Sequence, residues 1–292
     1  MEPTPPAAAQ VTGVEVPGGR LAVERFSAAS EPVLAIHGIS SQRRLWNWLR
    51  AEDPGISLIA PDLRGRGDSV TVDGPSSIAR HAADLVAVLD HFGLDAVHVC
   101  GMSMGGFVAV EMATSYPDRV RSLILVDGGY PMTPPPGLTA EALPSVFKDR
   151  LARLGRDWAS VGDYATFFVQ NTAPLLDATD PLLLDYLAHD LDGHRVRLNS
   201  EALVADGTDI FFGPPWPEKW DRLRTPVRLL TAEWSTGPGS TPAYPAGCIK
   251  APAGHEKSLV SVLPLPGADH AGSIMSRAGG KATASLIAEA MS

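Results

Sequence analysis

Hydrophobic residues along this chain follow two alternating rhythms. Short apolar or β-branched runs, bounded by Gly, Pro, Asp or Asn, occur at Leu21 to Phe26, Pro32 to Ile36, Ser57 to Ala60, Ala96 to Cys100, Ser122 to Val126, Val227 to Thr231 and Leu259 to Leu265. Several are apolar at consecutive positions, as strands buried on both faces require. Between them the period changes. After Ser77, a capping residue, Ile78, Ala82, Leu85, Val86, Leu89 and Phe92 recur at three- and four-residue spacing, and Gly93 ends the run. Strand alternating with helix predicts an α/β fold: a doubly wound, mostly parallel sheet with helices on both faces, binding ligands at the carboxyl ends of its strands.

The alternation breaks between residues 131 and 223. This stretch opens with Pro131, Pro134, Pro135 and Pro136 and closes with Pro214, Pro215 and Pro217. Its helical segments, around Ala142 to Leu154, Tyr164 to Gln170 and Pro181 to Leu191, predict a helical cap inserted into a core made of residues 11–130 and 224–292. Trp158, Phe167, Phe168, Phe211, Phe212 and Trp216 are more aromatic surface than a small cap needs for its own packing, so they are expected to line a pocket. Trp234 to Glu256, rich in Gly, Pro, Ser and Thr, reads as a long surface loop. Residues 1–10 are expected to form a flexible lead-in. They have neither a basic nor an apolar region of the kind a secretory signal carries.

Composition narrows the partners. Among 292 residues, 24 Lys and Arg stand against 33 Asp and Glu, a net charge of −9 that argues against nucleic acid as a ligand. No apolar stretch approaches the roughly 18 residues that span a bilayer, so no membrane partner is expected. The two cysteines, Cys100 in a strand and Cys248 in a loop, suggest no disulfide framework, and a cytoplasmic location is expected. No cluster has metal-ligand spacing and no flavin or nicotinamide signature is present, so neither metal nor cofactor is expected.

The chemistry concentrates at strand ends. Gly101-Met-Ser103-Met-Gly105 lies between the apolar strand Val97 to Cys100 and an apolar helical run from Gly106 to Ala113. A serine raised on a sharp strand-to-helix turn needs small residues two before and two after it, because its backbone is strained and neighbouring chains approach closely. The turn also sets the Met104 N–H at the positive end of a helix, where it can stabilise an anion. A second signal is His37-Gly38-Ile39-Ser40 at the end of Val33 to Ile36, where the N–H of Ile39 is expected to be a second oxyanion donor. His37 itself reads as a brace for that loop, and otherwise as a pocket residue. The third, Asp62-Leu-Arg64-Gly65-Arg-Gly67-Asp-Ser69, fits neither a Walker loop nor a dinucleotide fingerprint and reads as a turn supporting the rim of the site.

In this order the three segments resemble the α/β-hydrolase superfamily from about Pro32 onward. The resemblance implies an eight-stranded sheet with the cap inserted after strand 6, Ser103 as nucleophile, and His270 in Pro266-Gly-Ala-Asp-His270 as base. His255 lies too early, and His81, His91, His98, His189 and His194 are expected at the surface or in packing. For the acid the resemblance offers two positions, of which Asp127 is preferred and Glu233 is the alternative. The commoner place, beyond the seventh strand, holds Ser235 in Thr231-Ala-Glu-Trp-Ser235, which leaves Glu233 as its nearest carboxylate. Asp127 in Leu125-Val-Asp127 occupies the rarer place at the end of the sixth. A haloalkane dehalogenase or epoxide hydrolase would need a carboxylate where Ser103 stands. The resemblance therefore implies a serine hydrolase of a small, hydrophobic carboxylic ester or lactone working through an acyl-enzyme. A carbon–carbon bond hydrolase, an amidase, a cofactor-free haloperoxidase and a non-catalytic sensor on the same scaffold remain as alternatives.

Overall fold

The computed structural model describes residues 10–28, 30–134 and 137–292. Its main sheet has eight strands: β1 (Gln10–Val16), β2 (Gly19–Phe26), β3 (Val33–Ile36), β4 (Leu58–Pro61), β5 (Val97–Met102), β6 (Val120–Val126), β7 (Val227–Trp234) and β8 (Leu259–Asp269). They lie in the order β1-β2-β4-β3-β5-β6-β7-β8. Pairing from β4 to β8 is parallel, and only β1 with β2 and β2 with β4 are antiparallel. The expected lead-in lies outside the described residues except at Gln10, which already belongs to β1. That strand escapes the sequence pattern because it is an outer edge: of its seven residues only Val14 and Val16 are buried.

Successive residues of the inner strands belong to different cores, as side chains alternating across a sheet demand. Leu34, Ile36, Val99, Leu123, Leu125 and Leu229 pack on one face with the helices Ile78–His91 and Met104–Ser115. Val33, Ala35, Cys100, Ile124, Val126 and Leu230 pack on the other with Asn47–Glu52 and Arg277–Met291. Burial on both faces explains why these strands read as unbroken apolar runs.

Between β6 and β7 the chain forms six α-helices among the described residues: Leu143–Val146, Lys148–Ala152, Val161–Asn171, Pro181–Asp190, Ser200–Phe212 and Trp216–Asp221. Ser200–Phe212 was not expected from its pattern. Its start is set by Asn199, whose side chain accepts from the Ala202 N–H. This insert is joined to the loops after β3 and β4 by buried polar contacts. Asp206 pairs with Arg66 at 2.7 Å, and the Gln42 side-chain amide donates to the Tyr186 carbonyl at 2.8 Å. Burial opposes the charge of Asp206, but His81 and Arg66 beside it hold its carboxyl well below the usual carboxylate range.

The loop leaving β3 is fixed by His37, which is fully buried. Its Nδ1–H donates to the Gly38 carbonyl at 2.8 Å and its Nε2 accepts the Leu63 N–H at 3.0 Å, so the ring is neutral and a single tautomer fits. Burial pushes its pKa down to about 4. Close approach fixes the other loop: a Cβ on Gly105 would lie 2.0 Å from the Ile36 carbonyl oxygen.

Two consequences can be measured. Gly105→Ala is expected to cost about 3 kcal/mol, the upper end for overpacking, whereas Gly155→Ala, where a Cβ meets nothing within 4 Å, stays within about 0.5 kcal/mol in urea unfolding. As pH falls from 6.5 towards 4, the unfolded chain takes up a proton that folded His37 refuses. Stability contributed by the neutral ring is therefore full above 6.5, falls through this window and levels off below it, a change of about 3 kcal/mol. The difference in unfolding free energy between wild type and His37→Gln is expected to shrink by that amount from pH 7 to pH 4; a constant difference contradicts it.

Candidate functional site

Among the described residues, only two that are not glycine have positive φ: Ser103 at 54° and Asp127 at 44°. They end adjacent parallel strands, β5 and β6, which are in register through Met102 and Val126. Such backbone is costly for residues with a Cβ and persists only where surroundings enforce it. Here hydrogen bonds enforce it: the Ser103 N–H donates to the Val126 carbonyl at 3.0 Å and the Asp127 N–H to the Leu230 carbonyl at 2.8 Å. Gly128 then crosses so close to the serine turn that a Cβ there would lie 2.2 Å from the Ser103 carbonyl oxygen.

The two side chains meet at His270, just past the end of β8. Asp127 Oδ2 lies 2.6 Å from His270 Nδ1, and His270 Nε2 lies 3.0 Å from Ser103 Oγ. The carboxylate accepts, so Nδ1 carries the proton and the free Nε2 lone pair accepts from the serine hydroxyl. Asp127 Oδ1 accepts the Ala232 N–H at 3.0 Å, which fixes the carboxylate plane. The aspartate side chain is 1% exposed and the imidazole 28%, so the acid is sealed and the base open to the cleft. Glu233 is elsewhere engaged. Its Oε2 accepts the Gly267 N–H at 2.7 Å and so supports the turn leading into His270.

Opposite the serine runs the loop His37 to Ser41. The Gly38 carbonyl takes bonds from His37 Nδ1 and from the Ser41 N–H at 3.2 Å. The Ile39 N–H, on the far side of the same planar peptide, points the other way. It and the Met104 N–H, at the start of the helix Met104–Ser115, have no acceptor among the described residues. Two buried guanidiniums hold the next carbonyls. Arg66 Nε donates to Ile39 O at 3.0 Å, and Arg153 Nη2, from the insert, donates to Ser40 O at 2.6 Å. Sequence reading singled out neither arginine in this role, because only the fold brings residues 66 and 153 against residues 39 and 40.

Two lobes of a cleft flank Ser103 and His270, and both are lined by Ile39, Ser235 and Thr236. Of the expected pocket residues, Phe168 lines one lobe and Phe211 the other. The rest are corrected. His37 is buried as the loop's brace and lines neither lobe. Trp158 packs on Tyr164 and Phe167 inside the insert, with ring centroids 4.8 Å and 5.0 Å away. Trp216 sits edge-on behind Phe107, and Phe212 is 38% exposed. Aromatic content marked a packed insert here, and much of the lining falls to residues with no sequence signal, such as Ser41, Thr172 and Phe147. Burial raises the Tyr186 hydroxyl above its ordinary range, so it stays a donor, and it bonds Ser41 Oγ at 3.0 Å. Nor is Trp234 to Glu256 only surface: Tyr244 is buried, and its hydroxyl donates to Tyr130 O at 3.1 Å.

One group among the described residues has metal-ligand chemistry: Asp62, Asp68 and His189, whose ligand atoms lie within 4.8 Å of one another. Arg43 already pairs with both carboxylates, so a second cation there would meet a guanidinium at close range.

Comparison with known proteins agrees with this architecture. A 108-residue segment is 39% identical to the lipase LipV of Mycobacterium tuberculosis, spanning 37% of this chain and 41% of that protein. A longer match, 29% identical over 211 residues, covers 70% of this chain and 74% of the putative 2-succinyl-6-hydroxy-2,4-cyclohexadiene-1-carboxylate synthase of Bacillus subtilis. Among solved structures, E-2-(acetamidomethylene)succinate hydrolase superposes with a TM-score of 0.74 at 20% identity, covering 97% of this chain and 98% of that one. A mutant of the N-acyl homoserine lactonase AidH superposes with a TM-score of 0.68 at 21% identity over 98% of both chains. At such identities the structural likeness speaks for the fold. The sequence profile of the alpha/beta hydrolase family matches residues 33–283, and with the strand order above it establishes that this chain belongs to that family.

Proposed function

We propose that the protein is a serine hydrolase of small carboxylic esters or lactones, with Ser103 as nucleophile, His270 as base, Asp127 as the acid, and the β6–β7 insert as a cap over the cleft. The observation that carries this reading is the continuous line of hydrogen bonds from Asp127 Oδ2 through His270 to Ser103 Oγ, 2.6 Å and 3.0 Å long.

The steps follow from that line. Ser103 Oγ attacks the carbonyl carbon while its proton passes to His270 Nε2, and Asp127 stabilises the imidazolium that forms. The negative charge developing on the carbonyl oxygen is met by the N–H groups of Ile39 and Met104; one such donor is worth about 10² to 10³ in kcat. Collapse of the tetrahedral intermediate breaks the bond to the leaving oxygen, which takes the proton from His270 and leaves Ser103 acylated. Water, giving its proton to His270, then attacks the acyl carbon and restores the serine. None of these steps calls on a metal or cofactor. No helix among the described residues is long and apolar enough to cross a membrane. The similar proteins, a lipase and a lactonase among them, favour acyl chemistry on small molecules.

A fluorophosphonate probe is expected to label wild type and not Ser103→Ala. Asp127→Asn is expected to lower kcat on an activated ester at least about a hundredfold by favouring the wrong imidazole tautomer, whereas Glu233→Gln loses less than about fivefold. Absence of labelling in wild type would leave a binding protein, and the reverse ranking of the two acid variants would assign the acid to Glu233.

A further inference from the structure

The two lobes beside Ser103 differ in size and in chemistry. One has a volume of about 230 Å³ and, beyond the residues of the reacting centre, is lined by Met104, Phe107, Met132, Phe147, Ile210 and Phe211. The other has about 80 Å³ and adds four hydroxyl side chains, Ser40, Ser41, Thr172 and Tyr186, to an otherwise apolar lining of Leu45, Met102, Phe168, Ala271 and Met275. The polar side chains differ as well. Those of Ser40 and Thr172, which line the smaller lobe alone, make no hydrogen bond among the described residues, and Ser41 accepts from Tyr186 while keeping its own proton to donate. Hydroxyls that line a small concave site with no internal partner favour a ligand that brings donors and acceptors of its own.

We infer that the substrate is an ester of two unlike halves: an extended, unbranched or aromatic apolar half in the Phe147–Phe211 lobe, and a smaller half that carries hydroxyls in the Ser40–Thr172 lobe. This rests on the serine-hydrolase reading above and adds the class of molecule on which that site acts. The carbonyl then sits between the lobes, where Ile39 lines both. Each methylene added to the apolar half, up to the length of its lobe, raises kcat/KM about fourfold through the surface it buries. An apolar half forced into the compact lobe leaves the free hydroxyls desolvated and unpaired, which costs selectivity in the opposite sense.

The test uses four esters with the full-length protein: glyceryl monooctanoate and hexyl glycolate, which join unlike halves in the two possible orientations, and hexyl hexanoate and 2-hydroxyethyl acetate, which join like halves. At least one unlike ester is expected to exceed both like esters in kcat/KM by about tenfold or more, and the better of the two reports which lobe takes the acyl side. Thr172→Val, equal in shape but without the hydroxyl, is expected to lower the preference for the unlike ester over hexyl hexanoate by about three- to tenfold. Val146 lines the larger lobe with a side chain 48% exposed, so Val146→Trp narrows that lobe without disturbing the core. It is expected to lower the preference for the unlike ester over 2-hydroxyethyl acetate. Rates that simply follow total hydrophobicity, or failure to turn over either unlike ester, would overturn the inference. Fluorophosphonate labelling of Ser103 is read in the same samples: labelling with the wrong ester ranking sinks only the two-half substrate, and loss of labelling sinks the serine-hydrolase reading itself.

Discussion

The site depends on two backbone positions held where side chains are normally disfavoured. Ser103 and Asp127 end neighbouring strands, and both turn through positive φ, 54° and 44°. An ordinary strand end would carry each side chain on along the sheet; these two turn over its carboxyl edge instead. Strain of this kind is kept only if something stronger opposes its relaxation. Gly105 against Ile36 and Gly128 against Ser103, at distances no Cβ could share, together with the amide bonds to Val126 and Leu230, are what oppose it. The glycines flanking both residues are therefore part of the geometry of the site.

A second constraint acts from the opposite wall. The peptide between Gly38 and Ile39 is oriented by a neutral, buried imidazole, and the two carbonyls that follow are held by guanidiniums, one from the loop after β4 and one from the insert. Arg66 is in turn paired with Asp206 of the insert, with both side chains fully buried. The insert thus lines the cleft and also holds the loop that faces the serine. Breaking such a pair by removing one partner leaves a buried charge without compensation, which is the costly way to lose it. Substitutions in the insert at Asp206 or Arg153 should consequently be read as changes to that loop as much as to the insert.

Much of the fold could be read from the chain because it rests on local pattern. Consecutive apolar runs marked the inner strands, and Ser77 and Gly93 bracketed a helix that the structure ends within two residues of Gly93. β1 could not be read this way, since an edge strand with two buried residues has almost no period to detect. The helix Ser200–Phe212 was missed for a related reason: its core contacts include the ion pair of Asp206, which reads as a polar interruption in an apolar stripe. At the site, the turn around Ser103 was legible because its glycine spacing is itself a steric statement. Asp127 was preferred to Glu233 through the resemblance alone, because strand register and one rotated dihedral, rather than residue type, decide which carboxylate reaches His270. The aromatic residues of the insert misled for a simpler reason. Composition counts rings, and Trp158 and Trp216 spend theirs on packing while hydroxyls and aliphatic side chains line much of the cleft.

The central claim is that a proton on His270 Nδ1 is held by Asp127 and by no other carboxylate. Proton NMR with ¹⁵N-labelled histidine measures this directly, since a proton in a short bond between imidazole and carboxylate is shifted far downfield and protected from exchange. The account predicts one such resonance, assigned to His270 Nδ1–H, in wild type, Ser103→Ala and Glu233→Gln, and its disappearance in Asp127→Asn. A resonance that survives Asp127→Asn and vanishes in Glu233→Gln would contradict it.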